Sequence, residues 1–231
     1  IMVTKEPFSN WIKSFAGFAH KRSMPLLYKT TLRKWYRNRR KNAGYFKSDK
    51  KINLFCDEFT NFNDTEIGIK AILLLEKLGY EVVIPKHIES GRAWMSKGLI
   101  KAAKKIVRKN IALLSPVVTS ESPLVGIEPS AILALRDEYI DLADDDILET
   151  ARAMAKNVFY IDEFLAREFK ANNIDKNIFK KQTKHIKLHG HCHQKSLSNF
   201  NDSVTVLASL PDSTVEVIPS GCCGMAGSFG Y

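Results

Sequence analysis

The chain has 231 residues, of which 45% are hydrophobic and 26% are charged, and this composition is ordinary for a globular protein with an apolar core. No apolar run approaches the roughly 20 residues that a membrane-spanning helix needs, and the start of the chain lacks the pattern of a signal peptide. The net charge of +10 is local, because residues 1–51 contain 14 Lys and Arg against two acidic residues, while the remainder contains 21 basic and 23 acidic residues.

The amino-terminal segment, residues 1–50, is predicted to be a basic, mostly helical arm outside the core. Its basic residues are densest in Arg33–Lys41, where they are interleaved with Trp35 and Tyr36. Such a stretch can bind nucleic acid or an anionic membrane surface, but a charge run alone is a weak signal. We favour a solvated linker helix or a helix that docks on an acidic partner domain, and nucleic acid is the least supported partner.

A repeat organises the rest of the chain. The tetrapeptide Asn61–Asp64 recurs identically as Asn199–Asp202, and each copy lies between a strand-like run and a helix-like segment that leads to a second strand-like run. These runs are residues 51–55 and 81–85 in the first copy, and residues 185–189 and 215–219 in the second. Because strands that alternate with helices form parallel sheets covered by helices, the sequence predicts an α/β fold with two tandem, similar βαβ units.

The predicted domains are a first unit at 51–142, a helical linker at 143–183 and a second unit at 184–231. In the first unit, apolar spacing predicts a helix from about Thr65 to Leu78, a long helix from about Trp94 to Leu114 and a strand at 124–127. The chain starts with Ile1 and stops just after a glycine-rich stretch. We therefore expect it to be a fragment of a longer protein.

Cysteine placement is the main functional signal. Of the four cysteines, Cys192, Cys222 and Cys223 lie in the last 40 residues, and only Cys56 lies elsewhere. The three clustered cysteines follow predicted parallel strands, whose carboxyl ends meet at one edge of a sheet, where ligands collect. In an intracellular chain such clustering indicates metal or redox chemistry rather than a structural disulfide.

The adjacent pair Cys222 and Cys223 favours an iron–sulfur cluster over a single zinc ion. Two neighbouring thiolates reach different iron atoms of one cluster more easily than they reach one metal ion. The flanking Gly221 and Gly224 allow a tight turn and close approach of backbone N–H groups to a negatively charged cluster, so they are candidate cofactor-binding residues.

Zinc remains open as an alternative, because His189, His191 and His193 surround Cys192, and imidazole with thiolate is ordinary zinc chemistry. Of the three histidines, His191 is the candidate ligand. The others are equally well explained as loop residues that make hydrogen bonds. No catalytic acid or base can be identified from the sequence.

Two segments near these cysteines, His189–Lys195 and Cys222–Tyr231, resemble the cysteine-rich CCG domain, which occurs in heterodisulfide reductases and in the iron–sulfur part of glycolate oxidases and D-lactate dehydrogenases. In the first unit, residues 90–93, 96–99, 126–130 and 136–139 resemble the long FAD-linked oxidase branch of that family. The resemblance covers about residues 50–231. It implies a [4Fe-4S] cluster in this module, with FAD and ferredoxin-like clusters in upstream domains or subunits.

The resemblance further implies a function and a setting. Family members pass electrons from a flavin-oxidised small 2-hydroxyacid toward an acceptor, which the sequence does not identify. We therefore expect an electron-transfer module of a D-lactate- or glycolate-type dehydrogenase or oxidase, cytoplasmic or peripheral at the inner face of the membrane, and inactive as an isolated fragment. Two alternatives stay open: a thiol or heterodisulfide reductase-like subunit, and a zinc-stabilised interaction domain.

The chain departs from the family pattern in its first unit. Glu58 and the pair Glu89–Ser90 stand where many CCG proteins have cysteines, so we expect a degenerate site there and a buried, non-ligating Cys56. The resemblance also implies a further cysteine ligand beyond residue 231. Arg92 follows a Ser-Gly turn and is a candidate for binding an anionic group, and the mixed charges of Arg136–Glu138 predict an ion-pair network.

Overall fold

A computed structural model describes residues 8–17, 19, 21, 27–42, 45–181 and 183–224. The strands are β1 (Lys51–Phe55), β2 (Glu81–Val83), β3 (Leu124–Gly126), β4 (Val158–Tyr160), β5 (Lys184–Leu188) and β6 (Ser213–Val217). The helices are α1 (Phe8–Ala16), α2 (Leu32–Lys41), α3 (Glu58–Phe62), α4 (Thr65–Lys77), α5 (Arg92–Ser96), α6 (Ile100–Leu114), α7 (Pro129–Leu133), α8 (Glu138–Leu142), α9 (Asp145–Ala155), α10 (Ile161–Lys170), α11 (Cys192–Leu197) and α12 (Asn201–Ala208). A 3-10 turn spans Lys176–Ile178.

The first sheet has the strand order β2-β1-β3-β4, and all of its strands are parallel. In β1 the side chains of Ile52, Leu54 and Phe55 are fully buried, because helices cover both faces of a parallel sheet. Ile52 and Leu54 belong to one apolar cluster and Phe55 to another. The core of the first unit therefore lies on both sides of its central strand.

The second sheet is separate, and within the described residues it consists of β5 and β6. The two strands pair in parallel over their whole length, from Lys184 opposite Ser213 to Leu188 opposite Val217. The strand–helix–strand arrangement of β1, α4 and β2 thus recurs as β5, α12 and β6. The predicted α/β class with parallel strands in both units is confirmed.

Two segments differ from the sequence prediction. The predicted linker contains α9 and α10, but the three-residue strand β4 lies between them and pairs with β3 in the first sheet. The long helix predicted from Trp94 is divided into α5 and α6 at Gly98, whose φ angle of 70° ends the first piece. Only glycine takes this left-handed conformation without steric cost.

The sequence predicts that the basic arm lies outside the core, and for α2 that prediction is wrong. Leu32 and Tyr36 are buried in the first apolar cluster, and the Tyr36 hydroxyl donates a hydrogen bond to the Val82 carbonyl at 3.0 Å. Leu32 packs over Gly68, where a Cβ atom would lie 2.5 Å from the Leu32 side chain. Two apolar residues one turn apart are enough to dock a helix that is otherwise basic.

In the part of the chain that the structure describes, no helix has the length and apolar character required to cross a membrane.

Candidate metal centre

The loops that follow β5 and β6 meet at the carboxyl edge of the second sheet. The Ile218 amide donates to the Leu188 carbonyl at 2.9 Å, which continues the strand pairing by one residue. Beyond it, Nδ1 of His189 and Oγ of Ser220 are hydrogen-bonded at 2.6 Å, and Nζ of Lys195 donates to the Ser220 carbonyl at 2.8 Å. Ser220 therefore ties the second loop to the first.

Cys192 is the first residue of α11, and its side chain is exposed. The preceding residue, His191, is the N-cap, and its Nδ1 accepts a hydrogen bond from the His193 amide at 3.2 Å. Helix initiation by a side chain at the N-cap fixes the direction in which the chain enters the helix. The loop conformation therefore presents the Cys192 thiol to solvent at the start of α11.

Cys222 and Cys223 lie in the loop after β6, two and three residues beyond Ser220. Both are exposed, and neither forms a disulfide. The Gly224 amide donates to Cys222 Sγ at 3.4 Å, and Gly224 has a φ angle of 75°. Such a turn directs a backbone donor at a sulfur atom and requires glycine at its left-handed position. Gly221 has open space around its Cα atom.

The histidines flanking Cys192 offer further ligand atoms. The potential ligand atoms of His191, Cys192 and His193 all lie within 4.8 Å of one another. Burial lowers the pKa of His191, and the nearby Glu128 carboxylate opposes this effect. This shift favours the neutral His191 ring, which is the form that binds a metal.

Charged side chains of the first unit border this loop. Arg92 forms an ion pair with Glu138, and Nε2 of His193 lies 4.0 Å from the same Glu138 oxygen. The positive charge of Arg92, a candidate for binding an anionic group, is therefore matched by a carboxylate of the chain itself. The other Glu138 oxygen is buried and has no hydrogen-bond partner among the described residues.

Arg136 anchors the carboxyl end of α11 to the first unit. Its guanidinium donates to the Leu197 carbonyl at 2.5 Å and to both Glu163 oxygens at 2.9 and 3.1 Å. Glu163 also accepts hydrogen bonds from the Ser198 hydroxyl at 2.6 Å and from the Tyr160 amide at 2.9 Å. Arg136 and Glu138 are therefore ion-paired as predicted, but with Glu163 and Arg92 rather than with their neighbours in sequence, and the Arg136–Glu163 pair connects the end of α11 with α10.

A second contact holds the middle of α11. Gln194 is buried, and its amide donates to the Ser203 hydroxyl at 2.5 Å. The Ser203 hydroxyl in turn donates to the Asp162 carboxylate at the start of α10. Gly190, just before the helix, is also buried, and a Cβ atom there would lie 2.4 Å from the Phe200 ring. The backbone before Cys192 is thus closely packed.

The first unit shows what occupies the equivalent edge when cysteines are missing. Glu58 is the first residue of α3, as Cys192 is the first residue of α11. The Glu58 carboxylate accepts hydrogen bonds from the Ser90 hydroxyl at 2.6 Å and from the Ser90 amide at 2.9 Å. Here too the loop after the first strand of the repeat meets the loop after the second strand. A carboxylate–hydroxyl hydrogen bond bridges them.

Cys56 is 3% exposed, so the prediction that it is a buried residue is confirmed. Burial raises the pKa of its thiol to about 12, and a neutral thiol is a poor metal ligand. Its amide donates to Nε2 of His87 at 3.1 Å, and its thiol lies 3.6 Å from the Asn61 side-chain oxygen. These contacts are those of a packed structural residue.

Sequence reasoning identified the cysteines and named Arg136 and Glu138, but it did not predict their contacts with this loop or the role of Glu163. Glu138, Arg136 and Glu163 come from the first unit and the linker, and Arg136 is 61 residues from Leu197, its partner on α11. No local pattern connects residues that far apart. The resemblance at residues 225–231 falls outside the described residues.

The fold and the site define an α/β protein whose second parallel sheet carries a group of potential metal ligands, His191, Cys192 and His193, at its carboxyl edge, while Cys222 and Cys223 lie on the neighbouring loop and outside that group. No protein-family model matches the chain, and no solved structure gives a significant match. The chain does match several curated proteins at low identity.

Three of these relatives, each with a different name, differ in their identity and coverage. D-2-hydroxyglutarate dehydrogenase of Pantoea ananatis is 29% identical over 182 residues, which are 78% of this chain and 17% of the relative. A subunit of the anaerobic glycerol-3-phosphate dehydrogenase of Escherichia coli K12 is 23% identical over 214 residues, which are 92% of this chain and 52% of the relative. Lactate utilization protein A of Bacillus licheniformis is 27% identical over 186 residues, which are 78% of this chain and 74% of the relative.

The chain spans 17% and 52% of the first two relatives. The similarity supports an oxidoreductase-related role for the chain.

Proposed function

We propose that this chain is an iron–sulfur electron-transfer module of a flavin-linked 2-hydroxyacid dehydrogenase or oxidase. Cys192, Cys222 and Cys223 supply the thiolates that hold the cluster. The observation that carries the proposal is the pair of contacts from Ser220 to His189 and Lys195. These contacts join the loop that begins α11 to the loop that carries the cysteine pair.

The chemistry of the donor set fits a cluster. The three cysteines are exposed and free of disulfides, so their sulfur atoms are accessible to iron. Adjacent cysteines suit a polynuclear centre, in which each sulfur binds its own iron atom. The Gly224 amide directed at Cys222 Sγ is the type of N–H donor that stabilises the negative charge of a cluster and tunes its potential. When bound, a [4Fe-4S] cluster supplies one-electron transfer.

The first unit supports this assignment by comparison. Its two equivalent loops are held together by Glu58 and Ser90, so the repeat can bring these positions within hydrogen-bond distance. In the second unit the corresponding loops carry the cysteines. The same backbone arrangement therefore suits a cluster in one unit and a hydrogen bond in the other.

The relatives suggest the setting of the module. Two are dehydrogenases or dehydrogenase subunits by name, and their substrates are a 2-hydroxyacid and glycerol-3-phosphate. We propose that FAD and ferredoxin-like clusters lie in upstream domains or partner subunits, that a further cysteine of the CCG domain completes the ligand set, and that the protein is cytoplasmic or peripheral at the inner face of the membrane. Electrons from the flavin-oxidised hydroxyacid then leave through this module to an acceptor.

Anaerobic reconstitution of the full-length protein tests the proposal. We expect iron and inorganic sulfide in the stoichiometry of a [4Fe-4S] cluster, with the broad visible absorption of such a centre. Cys192→Ser, Cys222→Ser and Cys223→Ser should each reduce that signal, whereas the control Cys56→Ser should not, since Cys56 is buried away from solvent. A cluster that forms equally well in the three serine variants contradicts the assignment.

A zinc-stabilised interaction domain is the second candidate, and the clustering of His191, Cys192 and His193 favours it. Zinc takes histidine and cysteine ligands in structural sites and needs no redox partner. Metal analysis separates the two functions. Zinc near one atom per chain, with no visible absorption after reconstitution with iron and sulfide, supports the zinc domain and contradicts the cluster.

A further inference from the structure

Residues 8–42, called the amino-terminal arm from here on, lie within the basic segment 1–50. Their charge pattern has no role in the proposed electron transfer. The arm contains ten Lys and Arg residues and no Asp or Glu. The remainder of the chain after residue 51 is close to neutral, with 21 basic and 23 acidic residues. A positive charge confined to one short segment indicates a localised anionic partner.

The side chains on the inner side of α2 contact the rest of the fold. Leu32 and Tyr36 are in the core, Arg39 pairs with Glu76 at 2.5 Å, and the Arg40 guanidinium lies 4.5 Å from the centre of the Tyr45 ring. These contacts fix the helix on the first unit. They also determine which side of α2 faces outward.

The outer side of α2 is basic. Lys34, Arg37 and Lys41 are exposed, and their spacing of three and four residues places them on one face of the helix. In the residues that the structure describes, none of the three forms an ion pair with a carboxylate. A rigid helix therefore presents a row of unneutralised charges to solvent.

The rest of the arm exposes apolar side chains. On α1, Trp11 is 65% exposed and Phe15 is 86% exposed, and their rings stack with centroids 6.0 Å apart. Just before α2, Leu27 is 56% exposed. Isolated exposed apolar side chains are normal, but the contiguous pair of Trp11 and Phe15 exposes apolar surface that is costly in water and marks an interaction surface.

We propose that helices α1 and α2, together with Leu27, bind the surface of an anionic lipid bilayer. Trp11, Phe15 and Leu27 enter the boundary between headgroups and acyl chains, and the outer face of α2 contacts anionic headgroups. Aromatic and aliphatic residues combined with Lys and Arg are typical of segments that lie in a membrane interface, and polybasic segments are drawn to anionic leaflets. The exposed Phe15 and Leu27 favour a bilayer over nucleic acid, which has no apolar phase for them to enter.

Co-sedimentation of the full chain with lipid vesicles tests this inference, and its outcome is independent of cluster assembly. We expect binding to vesicles of phosphatidylcholine mixed with phosphatidylglycerol, weak binding to phosphatidylcholine alone, and loss of binding at high salt. Each basic residue near an anionic surface strengthens binding about fivefold, so Lys34→Gln/Arg37→Gln/Lys41→Gln should weaken it on the order of 100-fold. Trp11→Ser/Phe15→Ser should weaken it about tenfold or more without altering its salt dependence.

The matched control is Lys101→Gln/Lys105→Gln/Lys109→Gln, which removes three exposed charges from α6 and should change binding by a few-fold at most. Circular dichroism spectra and iron content of all variants should match the parent chain. Absence of vesicle binding by the parent, or an equal loss in the α6 control, overturns the inference. So does tight binding of a DNA duplex that is lost in the α2 variant and kept in the Trp11 and Phe15 variant, which would identify nucleic acid as the partner.

Discussion

Replacing Arg136 with alanine should loosen the helix that carries Cys192. The substitution removes the hydrogen bond to the Leu197 carbonyl and the two bonds to Glu163, and it leaves the Glu163 carboxylate, only 12% exposed, without its cation. Removing one partner of a buried ion pair costs about 3–5 kcal/mol, and an exposed pair contributes roughly 0–1 kcal/mol. Because the Arg136 side chain is 23% exposed, we expect a loss of about 2–3 kcal/mol in the free energy of unfolding.

Urea unfolding followed by circular dichroism gives this free energy, and hydrogen exchange of peptides that cover α11 reports the local effect. Arg152→Ala is the matched control, because its ion pair with Glu149 is largely exposed and should contribute less than about 0.5 kcal/mol. Arg136→Lys keeps the charge but not the planar fork, and should cost about 1 kcal/mol. If Arg136→Ala costs no more than Arg152→Ala and leaves exchange in α11 unchanged, the anchoring role of Arg136 is refuted.

Gly190→Ala should destabilise the chain by about 1–3 kcal/mol, because the new Cβ would meet the Phe200 ring; a melting temperature no lower than that of the open-space control Gly221→Ala contradicts this. Burial lowers the pKa of His87 from 6.5 to about 3, so the parent chain should lose stability as pH falls from about 6.5 toward 3, since only the unfolded chain binds the proton in that range. His87→Gln should remove that pH dependence, and parallel unfolding profiles for the two proteins would contradict the assignment. Leu32→Ala should cost about 2–4 kcal/mol in urea unfolding, and a loss below about 1 kcal/mol would show that α2 is not part of the core.

The main architecture is predictable from sequence because its signals are local. The apolar runs of β1 and β2 and the helical spacing between them each span few residues, and their recurrence at β5 and β6 identifies the repeat. Glycine at residue 79 marks the end of α4, where the chain takes a φ angle of 93°. Such signals need no knowledge of distant residues.

Strand β4 and the core position of α2 are not predicted from the sequence, and the physical reasons differ from those above. Strand β4 has three residues, which are too few for a periodic pattern to distinguish a strand from part of a helix, and its pairing with β3 makes it a strand. The core role of Leu32 and Tyr36 is hidden among basic residues, because docking requires only one side of a helix to be apolar. In both cases the decisive contact is tertiary.

In the candidate site, too, some residues are recognisable from local sequence and others only from tertiary contacts. Its cysteines are recognisable from their spacing and from the strands that precede them. The residues that hold the Cys192 helix, Arg136 and Glu163, are ordinary charged residues in sequence. Their role arises only because α11 packs against α7 and its carboxyl end lies within hydrogen-bond distance of Arg136 and Glu163.

The two-stranded second sheet has a practical consequence for protein preparation. In the first unit β1 is flanked on both sides, whereas among the described residues its counterpart β5 pairs with β6 alone. The backbone N–H and C=O groups along the far side of Lys184–Leu188 can therefore template an added strand from a neighbouring molecule. Lys187 is paired with Glu216 on β6, so Lys184 is the residue of this strand whose charge opposes such edge-to-edge growth, and concentrated solutions of this chain should precipitate more readily as salt screens that charge.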